Sequence, residues 1–217
     1  MMKIRQLINK YYYLYKTALL VHSIFYGRNL NQKIYGGKVS SYVVGGANSL
    51  VAKDGSFLEN LSVRISGSNN RIIIGENVRI YANCSILIFG SNCTVEIGAN
   101  TTIRSYTTLE CGENETHIKI GNDCMFSNHI HIRTHDSHFI YSNETGERLN
   151  MAKSVEIGDH VWIAAWVTVL KGTKIGSGAV IGVNSLVTHN VDENTIAVGI
   201  PARVVKNNVT WERKLRK

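Results

Sequence analysis

The chain has 217 residues, of which 44% are hydrophobic and 18% charged, so it suits one sizeable domain or two small ones and is not a disordered chain. Its formal net charge of +8 is concentrated at the two ends, since residues 1–38 contain seven Lys or Arg and no acid, and residues 203–217 contain six and one acid. The stretch between them is mildly acidic. This argues against a nucleic-acid groove on the main body, because such a surface needs clustered Lys and Arg.

The cysteines and the apolar segments exclude further classes. The four cysteines, Cys84, Cys93, Cys111 and Cys124, form no CxxC pair, so neither a zinc ribbon nor a redox motif is expected. No apolar run reaches the length of about 18 residues that a membrane-spanning helix needs. A signal peptide is not expected either, because polar residues break the first apolar stretch and no small-residue cleavage site follows.

The N-terminal segment predicts a helix. Between residues 3 and 25, apolar side chains recur at helical spacing, as at Ile4, Leu7, Tyr11 and Leu14, and Lys and Arg lie elsewhere in the segment. We expect residues 1–45 to form a helical or capping segment. It either covers the open end of the repeat domain that follows or contacts an anionic membrane surface, and both interpretations stay open.

A repeat with a period of six residues fills the middle of the chain. Downstream, six aliphatic residues follow one another at this spacing: Ile157, Ile163, Val169, Ile175, Ile181 and Val187. Upstream, sets of three begin every 23 residues: Val51/Phe57/Val63, Ile74/Ile80/Ile86, Ile97/Ile103/Leu109 and Ile120/Phe126/Ile132. A small or β-branched residue recurs four positions after the aliphatic one, and Gly or Asn stands in the turns.

Six residues correspond to one short strand and a turn, so three hexads make one triangular coil. Stacked coils lie about 4.8 Å apart and place identical positions above one another, with the aliphatic residue inside and Gly or Asn at corners that need positive φ. The sequence therefore predicts an all-β fold, a left-handed parallel β-helix over residues 46–200. Its left-handed coil is an exception to the usual right-handed crossover.

The repeat is interrupted once, and the last residues lie beyond it. Ile132 and Ile157 are 25 residues apart where 11 is the usual spacing, and the inserted residues 133–155 are polar and rich in His. Because long loops on rigid scaffolds usually carry function, we predict an active-site loop here. Residues 201–217 are expected to form a C-terminal basic tail, which begins at Pro201, the only proline, and in which a short helix over Trp211–Lys217 is an option.

Several motifs resemble a known family. Residues 155–165 and 169–176, with the turn Gly199-Ile200-Pro201-Ala202-Arg203, resemble the hexapeptide-repeat acyltransferases. Residues 132–138, with 140–141 and 146–150, are more similar to capsule and polysialic-acid O-acetyltransferases. The resemblance covers about residues 65–212. It implies a homotrimer of left-handed β-helices that transfers acetyl from acetyl-CoA to a glycan hydroxyl.

The resemblance also implies catalytic roles. His138 matches the catalytic base, and Trp162 matches a tryptophan that helps to shape the thioester site. Asp136 either orients His138 or only turns the loop. The chemistry agrees, because an acceptor hydroxyl has a high pKa and needs a base beside it as it attacks a thioester, and a histidine that titrates near neutrality suits that task.

Acetyl-CoA is the expected co-substrate, and its phosphates favour cations near the last coils. The cofactor-binding candidates are Trp162, Ala164, Lys171, Gly182, Arg203 and Lys206. The candidates for an acidic glycan are Arg133, Arg148 and Lys153, which alternatively form salt bridges within the loop. No metal is expected. Zinc at some of the histidines His129, His131, His135 and His138 is the minor alternative.

The predicted function is acetylation of a bacterial surface polysaccharide, with capsules that contain sialic acid among the candidates, or of its sugar precursor. One alternative is an acetyltransferase for a small acceptor such as an antibiotic, serine or a simple sugar. The other is a non-enzymatic solenoid scaffold. We expect a cytoplasmic protein without a nucleic-acid partner, with a peripheral contact to the inner face of the membrane as an option for the N-terminal segment.

Overall fold

A computed structural model describes residues 30–34 and 36–214, and these residues form a parallel β-solenoid of 21 strands. The helix predicted between residues 3 and 25 lies outside the described residues. The described part of the segment predicted as helical consists instead of strands β1 (Leu30–Lys33) and β2 (Gly37–Val44). Both strands pair with strands of the following coil, so the solenoid begins before residue 46. In the described ranges there is no helix, and hence none long and apolar enough to cross a membrane.

The strands line three faces, and each coil contributes one strand to each face in turn. Face 1 consists of β1, β3 (Asn48–Ala52), β5 (Arg71–Ile74), β8 (Thr94–Ile97), β11 (His117–Ile120), β14 (Val155–Ile157) and β17 (Lys174–Ile175). Face 2 consists of the start of β4 (Phe57–Ser66), β6 (Arg79–Ile80), β9 (Thr102–Ile103), β12 (Met125–Phe126), β15 (Trp162–Ile163), β18 (Val180–Ile181) and β20 (Ile196–Gly199). Face 3 consists of β2, the rest of β4, β7 (Ser85–Phe89), β10 (Thr108–Gly112), β13 (His131–Arg133), β16 (Thr168–Val169) and β19 (Leu186–Val187). The last strand, β21 (Ala202–Lys206), runs antiparallel to β20.

The pairing register gives the length of each coil. Partners in β5 and β8 are 23 positions apart, as in Arg71 and Thr94, which confirms the predicted period. Partners in β13 and β16 are 37 positions apart because the loop lies in that coil. Partners in β15 and β18 are 18 positions apart, so the downstream coils consist of three hexads without extra residues.

The core follows the hexads in every coil but the first. All six downstream aliphatic positions are buried. The small residues that lie four positions after an aliphatic one are buried too, and so are the four free cysteines. In the first coil the predicted inward residues Val51 and Phe57 are 38% and 51% exposed, and Ala52 and Leu58 are buried in their place. The prediction was wrong by one residue at Val51 and Phe57, because pairing there spans 22 positions. It was correct at Val63, which is buried and pairs over 23 positions.

Two corners of the prism are columns of residues with positive φ. The corner between faces 1 and 2 contains Gly55, Asn77, Asn100, Asp123, His160, Gly178 and Asn194. The corner between faces 2 and 3, which we call the aromatic column, contains Asn60, Asn83, Tyr106, His129, Trp166 and Asn184. The prediction that Gly and Asn occupy the corners is confirmed at most levels. The exceptions are Asp123 and His160 in the first column and three consecutive levels of the aromatic column.

Two of the aromatic residues strain the backbone at their corner. Tyr106, His129 and Trp166 have φ of 65°, 58° and 63°, a region that His adopts more readily than other aromatic residues and that costs Tyr or Trp roughly 1–2 kcal/mol. Their rings stack, with centroids 4.7 Å apart for Tyr106 and His129 and 3.8 Å apart for His129 and Trp166. Each stacked pair contributes about 0.5–1.5 kcal/mol, so the two pairs about offset the strain of Tyr106 and Trp166. Stability alone does not account for aromatic residues at this corner.

The shifted phase of the first coil gives a testable pair of substitutions. Phe126 is fully buried, so Phe126→Ala is expected to lower the free energy of unfolding by about 3–5 kcal/mol. Phe57→Ala, at the half-exposed position that the hexads placed inside, is expected to change it by less than about 1 kcal/mol. Urea titration measures both. Equal losses would mean that Phe57 packs in the core.

Candidate active site

The loop leaves the prism at the corner between faces 3 and 1, where each upstream coil has its extra residues. Thr134 ties both ends of the loop to the preceding coil. Its N–H donates to the Glu110 carbonyl at 3.1 Å, and its carbonyl accepts from the Lys153 N–H at 2.9 Å. Its hydroxyl accepts from the Gly112 N–H at 2.8 Å and donates to the Gly112 carbonyl at 3.1 Å. The root of the loop is therefore fixed.

Asn150 holds the centre of the loop, and sequence reasoning did not identify it as a site residue. Its buried side-chain Nδ2 donates to Asp136 Oδ2 at 2.9 Å and to the His138 carbonyl at 2.7 Å, and its Oδ1 accepts from the Ile140 N–H at 2.8 Å. One amide thus fixes residues 136, 138 and 140 together. Asn150 belongs to a motif that carried the family resemblance, but nothing in the spacing of that motif indicates its role.

The Asp136 carboxylate bonds to the Lys171 ammonium and to Asn150, with no contact to the His138 ring. Partial burial alone raises the pKa of Asp136, but the hydrogen bonds from Lys171 and Asn150 outweigh burial and hold that pKa below its usual value. Asp136 therefore fastens the loop to the coil that follows it. A cofactor contact by Lys171 stays a prediction, and its ammonium is engaged with Asp136 and with the Asn150 carbonyl at 3.0 Å.

His138 itself is exposed. Its backbone is held on both sides, since its N–H donates to the Asp136 carbonyl at 2.8 Å and its carbonyl accepts from Asn150. Its imidazole makes no hydrogen bond to any residue that the structure describes. A fixed backbone with a ring open to solvent is the arrangement that a general base for an external hydroxyl needs.

A second clamp holds the tip of the loop. The Arg148 guanidinium makes a bidentate pair with the Glu113 carboxylate, with Nη1 to Oε2 at 2.8 Å. Its hydrogen bonds hold the pKa of Glu113 below the usual value. The same guanidinium lies over the Phe139 ring, 3.9 Å from its centroid. Arg148 therefore forms an ion pair with Glu113 of the preceding coil and not with an acid of the loop itself.

The Glu110 carboxylate on face 3 lies close to three basic side chains near the loop root. Its carboxylate lies 2.8 Å from His131 Nε2, 3.5 Å from Arg133 Nη2 and 3.1 Å from His135 Nε2. His135 is buried, and its Nδ1 accepts from the Ser137 N–H at 3.0 Å, which places the proton on Nε2. That Nε2, like Nε of Arg133, has no partner in hydrogen-bond geometry. Arg133 is thus half-buried against Glu110.

The three cations predicted for the substrate therefore differ in availability. Arg148 is fully engaged by Glu113, and Arg133 shares Glu110 and donates to the Ser137 hydroxyl at 2.9 Å. Lys153 is exposed, and its ammonium has no acid partner in the described ranges. Their contacts with a substrate stay a prediction.

Trp162 starts β15 on face 2 and is 36% exposed. The indole of Trp211 packs beside it, with ring centroids 6.1 Å apart. Trp211 is buried, stacks on the His160 imidazole at 4.1 Å, and donates from Nε1 to the His160 carbonyl at 2.8 Å. Residues 207–213, which we call the C-terminal strap, therefore fold back onto the solenoid beside Trp162. The predicted basic tail is in its described part strand β21 followed by this strap, without a helix.

Ionic contacts fasten the strap. Arg213 donates to Asp123 Oδ1 at 2.8 Å and to two backbone carbonyls of neighbouring coils at 2.8 and 3.1 Å. His160 lies between two acceptors, Asp123 Oδ2 at 2.7 Å and the Trp211 carbonyl at 3.1 Å, so only the doubly protonated ring donates to both. Burial raises the pKa of Asp123, but the hydrogen bonds from His160 and Arg213 hold it below the usual value.

The other cofactor candidates lie on the last coils. Ala164 and Gly182 occupy equivalent corner positions of successive coils, with their N–H groups bonded at 2.9 Å to the coil that follows. A Cβ at Gly182 would lie 2.4 Å from Cγ1 of Val198, so a larger residue there would force the Val198 side chain to move. Arg203 and Lys206 lie on β21 and are exposed, and neither is paired with an acid of the described chain.

His138 and Trp162 lie at different corners of one prism. The loop leaves at the corner between faces 3 and 1, and Trp162 lies beyond the corner between faces 1 and 2. Face 1 separates them, and its four-residue strand β11 spans roughly 13 Å. No contact between the loop and Trp162 occurs in the described structure.

The histidines of the zinc alternative do not come together. Among the residues that the structure describes, no group of three His, Cys, Asp or Glu side chains is arranged to hold a metal ion. His129 lies in the aromatic column, whereas His131 and His135 flank Glu110.

Comparison with known proteins agrees with the fold and the repeat. The family model described as bacterial transferase hexapeptide (six repeats) matches residues 154–189. The chain is 36% identical over 178 residues to the polysialic acid O-acetyltransferase of Neisseria meningitidis, covering 80% of this chain and 79% of that protein. The solved structure of the polysialic acid O-acetyltransferase OatWY aligns with a TM-score of 0.71 at 29% identity, covering 86% and 92%. A mutant of AntD, a Bacillus cereus N-acyltransferase in complex with dTDP and coenzyme A, aligns with a TM-score of 0.52 at 25% identity, covering 66% and 77%.

The hexad repeat, the solenoid and these likenesses define an acyltransferase of the hexapeptide-repeat class, as the motifs predicted. Within that class, the chain belongs to the O-acetyltransferase family that includes the polysialic acid O-acetyltransferases.

The central position of Asn150 can be tested by substitution. Asn150→Ala removes the bonds to Asp136 and to the His138 carbonyl, so acetyl transfer is expected to fall about 100-fold, because small misplacements of catalytic groups are costly. Asn143→Ala, in the exposed tip of the same loop, is the matched control and should keep the wild-type rate. Release of CoA measured with a thiol dye gives kcat for both. Wild-type turnover of Asn150→Ala would show that the loop does not depend on this amide.

The strap can be tested by proteolysis. Trp211→Ala removes its buried anchor, so trypsin is expected to cleave after Arg213 about tenfold faster than in the wild type, as a locally opened segment does. Thr210→Ala, an exposed change within the strap, is the control. Mass spectrometry of the C-terminal fragments follows the cleavage. Equal rates in the wild type and Trp211→Ala would mean that Trp211 does not hold the strap closed.

Proposed function

We propose that this enzyme transfers the acetyl group of acetyl-CoA to a hydroxyl group of a bacterial surface polysaccharide that contains sialic acid, with His138 as the general base. The observation that carries the proposal is the exposed His138 imidazole, without a hydrogen-bond partner in the described chain, on a loop fixed at its root and centre. The likeness to polysialic acid O-acetyltransferases supports the acceptor class.

The reaction is a direct transfer. The acceptor oxygen attacks the thioester carbonyl carbon while His138 takes the hydroxyl proton, and the C–S bond breaks as the tetrahedral intermediate collapses. The proton returns from His138 to the leaving CoA sulfur, so neither a covalent enzyme intermediate nor a metal ion is needed. The products are the acetyl ester of the glycan and free CoA.

Acetyl-CoA is proposed to bind along the last coils beside Trp162, Ala164 and Gly182. The exposed cations Arg203 and Lys206 have no acid partner in the described structure, so they suit its phosphates. Coenzyme A bound to AntD, a related fold, supports an acyl-CoA donor. Acetyl-CoA is a cytoplasmic metabolite, so we propose that the reaction takes place in the cytoplasm.

A site that uses both His138 and Trp162 requires two chains. The two residues lie at different corners of one prism, so the loop of one copy must meet Trp162 of another. A homotrimer of left-handed β-helices, as the family resemblance implies, provides such a meeting three times. We propose Lys153 and Arg133 as the cations that meet the carboxylates of an acidic acceptor, with Arg133 paired to Glu110 at the same time.

The test of the proposed function is transfer to a defined panel. The protein is incubated with acetyl-CoA and, in parallel, with sialic acid oligosaccharides, neutral glucans, serine and simple sugars, and the products are weighed by mass spectrometry. We expect an added acetyl group on the sialic acid oligosaccharides. If only serine or the simple sugars are acetylated, the substrate is a small acceptor and not a polysaccharide. If no member of the panel is acetylated, the proposed acceptor class is wrong.

The assignment of the general base is tested by His138→Ala. Loss of a positioned base should lower acetyl transfer about 10²–10⁴-fold, with CoA affinity and oligomeric state unchanged. His189→Ala, which removes another exposed histidine, should keep the wild-type rate. Release of CoA gives the turnover rates, calorimetry gives the CoA affinity, and sedimentation gives the oligomeric state. Wild-type turnover by His138→Ala would assign the base to another group.

A further inference from the structure

The aromatic column offers a surface that the proposed reaction does not use. Tyr106 and Trp166 are 53% and 57% exposed, and half-buried His129 lies between them with all three rings nearly parallel. Because the imidazole is smaller and more deeply placed than its neighbours, the phenol and the indole reach further into solvent on either side of it. The result is a rigid pair of exposed aromatic rings at the edge of the prism.

The chain places these rings where its own pattern has asparagine. The same column contains Asn60 and Asn83 in the coils before them and Asn184 in the coil after them, all with positive φ. Asn adopts this backbone readily, and Tyr and Trp do not. Since stacking only offsets the strain, the aromatic residues have a reason other than stability, and strained residues of this kind cluster at binding sites.

The surroundings indicate the charge of the partner. The corner segments at the five levels around the rings, residues 81–83, 104–106, 127–129, 164–166 and 182–184, contain no Asp or Glu. They contain the exposed Arg104, whose guanidinium lies 5.1 Å from the centroid of the Tyr81 ring and has no acid partner in the described ranges. Aromatic rings with a neighbouring guanidinium and no acid complement an anionic ligand that also has apolar C–H faces.

The position of the column suits the acceptor. Trp166 lies four residues after Trp162 in the same coil, with only the small residues Ala164 and Ala165 at the corner between them. A chain molecule bound at the column therefore runs next to the predicted thioester site. A polymeric acceptor occupies such a neighbouring position, whereas a small acceptor has nothing there to bind.

We propose that Tyr106, His129 and Trp166 form a subsite for an acidic glycan, in which sugar rings pack their C–H faces on the exposed phenol and indole and a glycan carboxylate meets Arg104. This inference rests on the proposed function, because it concerns the acceptor of the same reaction. The subsite holds the part of the glycan that does not react. It adds affinity for long acceptors and leaves the chemical step unchanged.

The test is glycan binding without acetyl-CoA, which separates this inference from catalysis. Trp166→Asn and Tyr106→Asn install the residue that the column uses elsewhere, so both variants are expected to fold. Each should bind a long sialic acid oligosaccharide about tenfold more weakly than the wild type in calorimetry. In turnover, KM for the long oligosaccharide should rise about tenfold, with kcat and KM for acetyl-CoA unchanged. Phe57→Asn removes an equally exposed aromatic residue far from the column and is the matched control.

Unchanged glycan affinity in Trp166→Asn and Tyr106→Asn would overturn the subsite even if the wild type acetylates the glycan. Dissociation of the oligomer in these variants, seen by sedimentation, would overturn it too and would assign the column to an interface between copies. Conversely, the wild type could fail to acetylate the glycan while the two variants still bind it more weakly. That result would support the subsite and would overturn the proposed acceptor reaction. No binding of the glycan by the wild type would remove both.

Discussion

The coils of this solenoid stack in register, and every other feature depends on that constraint. Backbone N–H groups of one coil donate to carbonyls of the next, so each side chain lies against its equivalents 23 or 18 positions away. A substitution is therefore felt by the coils on both sides. Gly112 is an example, because a side chain there would collide with the His135 ring of the following coil.

The chemistry lies on two additions to this stack. The loop and the C-terminal strap are fastened at different corners, by Asp136 to Lys171 and by Arg213 to Asp123. Such half-exposed ion pairs contribute only about 0–1 kcal/mol to stability. Their consequence is geometric, since they hold flexible segments against a rigid scaffold, and catalysis depends strongly on the placement of its groups. The stack supplies rigidity, and the additions supply reactive and binding side chains.

The repeat could be predicted because its cause is local and recurs. An inward position needs an aliphatic side chain in every coil, so from Ile74 onward the hexads identified the buried residues correctly. The prediction of the inward positions was wrong at the start of the first coil for the same reason. Pairing there spans 22 positions, and a period-two strand puts Phe57 outside and Leu58 inside after a shift of one residue. Periodicity fixes the phase only where the coil length is constant.

The site could be predicted only in part, because its contacts join residues with no periodic relation. His138 followed from a motif, but the pairing of Asp136 with Lys171 and the position of Asn150 depend on how a loop of irregular length closes. The stacking of Trp211 on His160, 51 residues away, has no signal in the hexads at all. The aromatic column is the intermediate case. Each of its three aromatic members lies three residues after a hexad position, so the repeat already places them at equivalent corners, and only the positive φ and the stacking of their rings had to come from the structure.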